Sequence, residues 1–185
     1  MSAPARHAPA RRPRDDAVRL SFAKISSSPV GALHLAAAGD RLCAVAFDCG
    51  RDGFERHLKR WFAGRADGPS VAFPAPILDA FEAYFAGETG ALDRLPVEIH
   101  GTEFQCAVWR GLRDVPAGVT ETYGALARRL GKPKAMRAVG LANGANPIPL
   151  ALPCHRIIGA DGSLTGFGGG IERKLWLLRH EGAII

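Results

Sequence analysis

The chain has 185 residues, of which 47% are hydrophobic and 23% charged, a composition typical of a globular protein with its own core. No apolar run reaches the roughly 18 residues that a membrane-spanning helix needs, and the N-terminus has no apolar signal segment, so we expect a cytoplasmic protein without a membrane partner. The formal charge of +6 is unevenly placed, with eleven Lys or Arg against six Asp or Glu in residues 101–185, which favours a polyanionic partner such as nucleic acid.

The N-terminal half predicts an arm followed by a small structural domain. Residues 1–19 are rich in Pro, Ala and Arg without apolar periodicity and predict a disordered basic arm. Residues 20–98 predict an α/β domain in which apolar alternation from Leu20 to Phe47 gives three strands of an antiparallel meander, separated by turns at 26–31 and 39–40. Two amphipathic helices should then cover one face of this sheet, because apolar residues repeat at helical spacing at Phe54, Leu58, Trp61, Ile77, Phe81 and Phe85.

Residues 99–185 predict a second, mainly helical domain, which makes the fold class α/β in the broad sense of α+β. Thr102–Gln105 has the sequence of a capping box that opens a helix. A helix from Tyr123 that stops at Gly131, and another with Pro133 near its start that runs to about Asn143, predict a helix-turn-helix. A last helix should run from about Ile171 to His180.

One of the four cysteines stands beside a histidine. We expect all four to be thiols, because the chain shows no secretory signal. Cys154 and His155 could form a nucleophile and its base if a third group, such as the Glu181 carboxylate, oriented the imidazole. The dipeptide alone fits a buried, inert cysteine beside a capping histidine at least as well.

The segments around Cys154 indicate which role the Cys154-His155 dipeptide has. The following segments occur in this order: TEFQCAVW (102–109), YGALA (123–127), RAVG (137–140), Asn146-Pro147, PCHRI (153–157), a glycine-bearing loop at 166–170 and LLRHEG (177–182). These segments closely resemble the O6-alkylguanine-DNA alkyltransferases, also called methylated-DNA–protein-cysteine methyltransferases, across essentially all of residues 101–182. The N-terminal half resembles the same family more weakly, in PVGAL (29–33) and FEAYFAGE (81–88).

The resemblance implies a DNA repair reaction that consumes the protein. Cys154 would attack the alkyl carbon on guanine O6 and keep the alkyl group as a thioether, so each molecule would act once and need no metal or organic cofactor. His155 would take the thiol proton through a bound water, and Glu181 would orient the imidazole. Asn146 would hold the turn around the cysteine, and Tyr123 would assist the departing guanine oxygen, although by itself Tyr123 fits a core residue of an amphipathic helix.

The resemblance also implies how duplex DNA with O6-alkylguanine, the expected partner, is held. The helix-turn-helix would enter the minor groove, the damaged nucleotide would leave the stack and Arg137 would fill its place. Ala138 and Gly140 are small enough for close approach, Tyr123 also lies on this surface, and Lys132 and Lys134 fit phosphate contacts or a solvated surface equally well. The guanine pocket would be formed by Pro149, Ile157, Phe167 and Gly168, with Phe167 standing where several relatives have Tyr.

Several alternatives remain. Cys43, Cys49 and His57 could be considered as metal ligands, but their spacing is unlike the usual close pairs and no fourth ligand is evident, so we expect no zinc. Cys106 fits a small apolar residue within a helix. A noncatalytic protein that recognises alkylated DNA and a cysteine hydrolase are the two competing functions. We expect a monomer in solution.

Overall fold

The computed structural model describes residues 19–49, 51–62 and 72–184. Residues 1–18 of the predicted arm and the side chain of Trp61 lie outside the described residues. Within the part that is described, no helix is both long and apolar enough to cross a membrane.

The three N-terminal strands form the predicted antiparallel sheet. β1 (Leu20–Ile25), β2 (Leu33–Ala38) and β3 (Arg41–Phe47) follow one another in the order β1-β2-β3. The tight Gly39-Asp40 turn joins β2 to β3, and Gly39 has a φ of 60°, a conformation that glycine adopts without steric cost. The β2–β3 register shifts between Ala36 and Ala37, which bends the sheet next to Cys43.

The two N-terminal helices join different apolar clusters. α1 (Arg51–Phe62) buries Phe54 and Leu58 in a small cluster with Ala36 and Ala38 of β2. α2 (Ala75–Phe85) instead contributes to the main core, with Ile77, Phe81 and Tyr84 in one cluster with Leu33 and Leu35 of the same strand. Successive side chains of a strand point to opposite faces. The expectation that both helices cover one face was therefore wrong, because β2 is buried on both.

The C-terminal half is mainly helical and shares the main core with the sheet. α3 (Glu103–Leu112) begins at the capping box, in which the Thr102 hydroxyl accepts from the Gln105 backbone and the Gln105 side chain accepts from the Thr102 backbone. α6 (Ile171–His180) has the predicted bounds. The main core runs from Leu35 in β2 through Trp109 in α3 to Leu177 in α6. The division into domains near residue 99 remains a prediction.

Two short helices follow each other in the C-terminal half, as the helix-turn-helix prediction requires. α4 (Tyr123–Arg129) is capped by Thr122, whose hydroxyl accepts from the Ala125 backbone at 3.1 Å. α5 (Met136–Gly144) begins three residues later than expected, because Pro133 lies in a turn closed by the bond from Ala135 N to Lys132 O.

A two-stranded parallel ladder brings the start of α4 beside the Cys154 segment. A 3₁₀ helix at Cys154–Arg156 leads directly into β5 (Ile157–Ile158), and β5 pairs with β4 (Glu121–Thr122). Tyr123 follows β4 directly, so this pairing sets Tyr123 and the Cys154 segment close together although about 30 residues separate them in the chain.

Candidate functional site

A tight turn presents Cys154 at the end of the segment that follows α5. The Asn146 amide donates from Nδ2 to the Leu152 carbonyl at 2.7 Å, and its Oδ1 accepts from the Ile148 backbone at 3.0 Å. Leu150 within this turn has a φ of 74°, which a non-glycine residue adopts only when its surroundings hold it there. The Asn146 side chain thus supplies bonds that the chain needs to reverse direction just before the cysteine.

The Cys154 thiol is almost completely buried, with 5% of the residue exposed. Burial raises its pKa to about 11, although the Asn146 side chain and the Lys174 charge act in the opposite direction. At neutral pH the thiol is therefore protonated, and it becomes a strong nucleophile only if a base removes the proton as the reaction proceeds.

His155, the residue that follows Cys154, forms a buried pair with Glu181. His155 Nε2 lies 2.9 Å from Glu181 Oε1, and both side chains have no exposed surface. Burial by itself would raise the pKa of Glu181, but bonds and charges from His155 and Arg156 outweigh it and hold that pKa at about 2. The carboxylate is therefore ionised, and the proton of the neutral imidazole belongs on Nε2.

The other imidazole nitrogen, Nδ1, is then a hydrogen-bond acceptor. Among the described residues, His155 Nδ1 is buried and has no hydrogen-bond partner. Burial lowers the pKa of His155, against the pull of Glu181, so the ring tends toward the neutral form that can accept a proton. A protonated thiol and, in the next residue, a neutral imidazole with a free acceptor are the groups that general-base activation requires.

Arg156 binds the same carboxylate, a role that no pattern in the sequence indicated. The guanidinium is fully buried and donates from Nε to Glu181 Oε2 at 2.8 Å and from Nη2 to Glu181 Oε1 at 3.0 Å. Its Nη1 reaches Asp93 Oδ1 at 3.0 Å and the Val115 carbonyl at 2.7 Å. The only sequence signal was its position directly after His155 in the PCHRI segment.

A cavity of about 220 Å³ opens next to Cys154. Three of the four predicted pocket residues, Pro149, Phe167 and Gly168, line it together with Cys154 and Asn146. The fourth, Ile157, does not line this cavity, because it is fully buried in β5 and its carbonyl accepts from Lys174 Nζ at 2.5 Å.

The N-terminal half contributes to this cavity, which the sequence analysis missed. Phe47 at the end of β3 and His57 on α1 both line it, and the Phe47 ring lies 5.9 Å from the Phe167 ring between centroids. Phe167 also meets His155 edge to face at 6.5 Å. Phe47 fits the alternation of an ordinary strand, so no local signal distinguished it from a core residue.

Tyr123 and Arg137 lie at a second, larger opening of about 800 Å³ between α4, α5 and the loop that carries Gly166 and Gly168. The Tyr123 hydroxyl donates to the Thr165 carbonyl at 3.2 Å, and its ring faces Gly140. Burial raises the pKa of Tyr123, partly offset by the Asn143 side chain, so the phenol keeps its proton.

The exposed face of α5 combines one cation, Arg137, with the small residue Ala138 and two exposed apolar side chains, Met136 and Leu141. Arg137 and Ala138 are both exposed, and Gly140 is half-buried. Gly168 lines both this opening and the cavity next to Cys154, so the two are neighbours. The α5 surface therefore stands at the entrance to the buried thiol. Within the described part of the chain, no group of three or more His, Cys, Asp or Glu is arranged to hold a metal ion.

Comparison with known proteins assigns both halves of the chain to domains of one protein family. Residues 103–183 match the family described as "6-O-methylguanine DNA methyltransferase, DNA binding domain", and residues 22–99 match "6-O-methylguanine DNA methyltransferase, ribonuclease-like domain". The methylated-DNA–protein-cysteine methyltransferase of Salmonella typhimurium is 45% identical over 146 residues, which are 78% of this chain and 85% of that protein.

Solved structures similar to this chain come from the same kind of protein. A crystal structure of Mycobacterium tuberculosis OGT in complex with DNA is 38% identical, has a TM-score of 0.71 and is matched over 90% of this chain and 94% of that one. The O6-methylguanine-DNA methyltransferase of Pyrococcus kodakaraensis is 28% identical with a TM-score of 0.63, over 88% of this chain and 99% of that one.

Proposed function

Since the chain belongs to the 6-O-methylguanine DNA methyltransferase family, and is a methylated-DNA–protein-cysteine methyltransferase of DNA repair, we propose that Cys154 is the cysteine that takes the alkyl group from O6-alkylguanine in duplex DNA. The observation that carries this assignment is the position of Cys154. It is the one cysteine among those described that lines the 220 Å³ cavity, and the imidazole of the buried His155–Glu181 pair belongs to the residue that follows it.

The reaction is a displacement at carbon. The Cys154 sulfur attacks the alkyl carbon, a carbon–sulfur bond forms, and the bond between that carbon and guanine O6 breaks with its electron pair left on the oxygen. His155 Nδ1 takes the thiol proton through one bridging water, and the Nε2–H bond to Glu181 stabilises the imidazolium that results. The thioether offers water no leaving group, so each molecule reacts once and uses no cofactor.

The departing guanine needs a hydrogen-bond donor, because its oxygen gains negative charge as the bond breaks. Tyr123 supplies that donor, since its phenol stays protonated and stands at the entrance to the cavity. Asn146 keeps the turn that presents the thiol, while Pro149, Phe167 and Gly168 enclose the base.

A nucleotide must leave the duplex to reach a thiol that is 5% exposed. The exposed face of α5 enters the minor groove with Arg137, and the small residues Ala138 and Gly140 beside it permit close approach. Arg137 takes the place of the extruded nucleotide in the stack. The minor groove carries little sequence information, which suits a protein that repairs lesions in any sequence context.

Mass spectrometry of the intact protein and its peptides tests this assignment. The protein is mixed with excess duplex oligonucleotide that carries one O6-methylguanine, in parallel with Cys154→Ala and with Cys49→Ala as a matched control. We expect one methyl group per wild-type or Cys49→Ala molecule, located on Cys154, and none on Cys154→Ala.

Other outcomes identify the competing functions. Tight binding to the lesion duplex without methylation would indicate a noncatalytic lesion-recognition protein, and many products per protein molecule would indicate a hydrolase. We further propose that the protein acts as a monomer in the cytoplasm. Analytical ultracentrifugation of the free protein tests the monomeric state.

A further inference from the structure

One conspicuous segment of the N-terminal half has no part in the reaction described so far. The FEAYFAGE segment (81–88) forms the second half of α2 and the turn that follows it. Tyr84 in this segment is 1% exposed, and its hydroxyl donates to Glu181 Oε1 at 2.8 Å. These two residues are 97 positions apart in the chain, so the N-terminal half reaches the carboxylate that orients His155.

Tyr84 competes with His155 for a single oxygen. Glu181 Oε1 accepts from the Tyr84 hydroxyl, from His155 Nε2 at 2.9 Å and from Arg156 Nη2 at 3.0 Å, whereas Oε2 accepts from Arg156 Nε. Donors that share one acceptor each draw on the same negative charge, so a bond from one weakens the acceptor that is left for the others.

We propose that Tyr84 is a positioning residue for alkyl transfer: its hydroxyl limits the charge that Glu181 offers to His155 and so keeps the imidazole neutral and able to take the thiol proton. This inference rests on the proposed function of His155 as the base. Tyr84 does not touch the reacting atoms, and it acts only through Glu181.

The phenol is suited to this role because it is a constant donor. Burial, followed by the charge of Glu181, raises the pKa of Tyr84, so the hydroxyl keeps its proton throughout the range in which His155 titrates. In the part of the chain that the structure describes, Arg156 and Asp93 also face this cluster at the carboxylate, and the His180 ring lies 5.1 Å from the Tyr84 ring. The charge of Lys174 acts on both His155 and Cys154.

Tyr84→Phe removes the donor but keeps the ring and its edge-to-face contacts with Phe85 and His180. The single-turnover rate with the O6-methylguanine duplex is measured from about pH 5 to about pH 9, and the His155 imidazole is titrated by NMR in the unreacted protein. Phe81→Leu is the matched control, since Phe81 is fully buried in the main core on the same helix and its side chain has no polar atom.

We expect Tyr84→Phe to move the acid limb of the rate profile and the His155 titration to higher pH by roughly half a unit to one unit, a three- to tenfold loss of neutral imidazole below the inflection. Phe81→Leu should lower the melting temperature without moving either curve. An unchanged His155 titration in Tyr84→Phe, or one moved to lower pH, would overturn the proposal.

The two proposals fail in distinguishable ways. If the wild-type protein does not take up a methyl group, the proposed function fails, while the NMR titration still decides whether Tyr84 controls His155.

If Tyr84→Phe does not fold, 3-fluorotyrosine is incorporated into the Tyr123→Phe variant, in which Tyr84 is the one remaining tyrosine. Fluorine makes the phenol a stronger donor, so the His155 titration should then move to lower pH, and a shift to higher pH or none would contradict the inference.

Discussion

Replacing Glu181 by Gln keeps the shape of the side chain but removes the charge at the centre of the site. In the wild-type protein this carboxylate accepts bonds from Tyr84 and His155 and two from Arg156. After the substitution Asp93 would be the one charged partner left, among the described residues, for the buried Arg156 guanidinium. A buried cation without its main counter-ion destabilises the folded state.

The cost of breaking a buried ion pair and the pKa shift of Glu181 give similar magnitudes for the expected loss of unfolding free energy. Removing one partner of a buried ion pair costs about 3–5 kcal/mol of unfolding free energy. The pKa of Glu181 falls from an ordinary value of 4.5 to about 2, and that shift corresponds to about 3 kcal/mol of preference for the ionised form in the folded protein. We therefore expect Glu181→Gln to lower the free energy of unfolding at neutral pH by about 3 kcal/mol, and the melting temperature by roughly 10 °C.

The effect has a defined pH dependence. A carboxyl group whose pKa is lower in the folded than in the unfolded state stabilises the fold above the unfolded-state pKa and loses that contribution as the pH falls. For Glu181 the loss begins near pH 4.5 and continues to about pH 2. The stability difference between wild type and Glu181→Gln should therefore shrink below pH 4.5, with about 2 kcal/mol of it gone by about pH 3.

Urea unfolding of wild type and Glu181→Gln at neutral pH and at several acidic pH values measures this difference. Glu172→Gln serves as the control, because Glu172 is exposed on the first turn of α6, the helix that ends just before Glu181, and it should change stability by less than about 0.5 kcal/mol. A destabilisation by Glu181→Gln below about 1 kcal/mol, or one that stays constant as the pH falls, would refute the reasoning.

Three further outcomes are expected from the site. Arg137→Ala should slow methyl transfer from duplex DNA at least about tenfold and leave transfer from the free base O6-methylguanine unchanged, because Arg137 acts on the duplex; equal effects on both substrates would argue against that. Phe167→Ala should lower the transfer rate by roughly 5- to 100-fold, the range expected for the loss of an aromatic contact with a base, whereas Phe167→Tyr should stay close to wild type in single-turnover assays. Iodoacetamide at neutral pH should modify Cys49 well before Cys154, because Cys49 is only half-buried whereas Cys154 is 5% exposed, and burial, which raises the pKa of both thiols, raises that of Cys154 to about 11; peptide mapping that finds Cys154 modified first would contradict this.

Local patterns in the sequence were sufficient for most of the secondary structure. The strands between Leu20 and Phe47, the capping box at Thr102 and the helix from Ile171 to His180 are confirmed, because each depends on residues within a few positions of one another. The start of α5 was misplaced, since Pro133 is compatible both with a first helical turn and with the turn that precedes it. The distribution of α1 and α2 between two clusters was also missed, because periodicity identifies an apolar face but does not say what it contacts.

The sequence alone indicated which residues could carry the chemistry: a thiol followed by an imidazole, within a distinctive set of segments that points to the alkyltransferases. The tertiary structure decided how those groups are arranged. Among the described residues it gives His155 Nδ1 no hydrogen-bond partner. It places Arg156 against Glu181 and brings Phe47, Tyr84 and Asp93 from the N-terminal half to the site. These contacts join residues far apart in the chain, so they depend on how the whole core packs, and no local pattern of side chains encodes them.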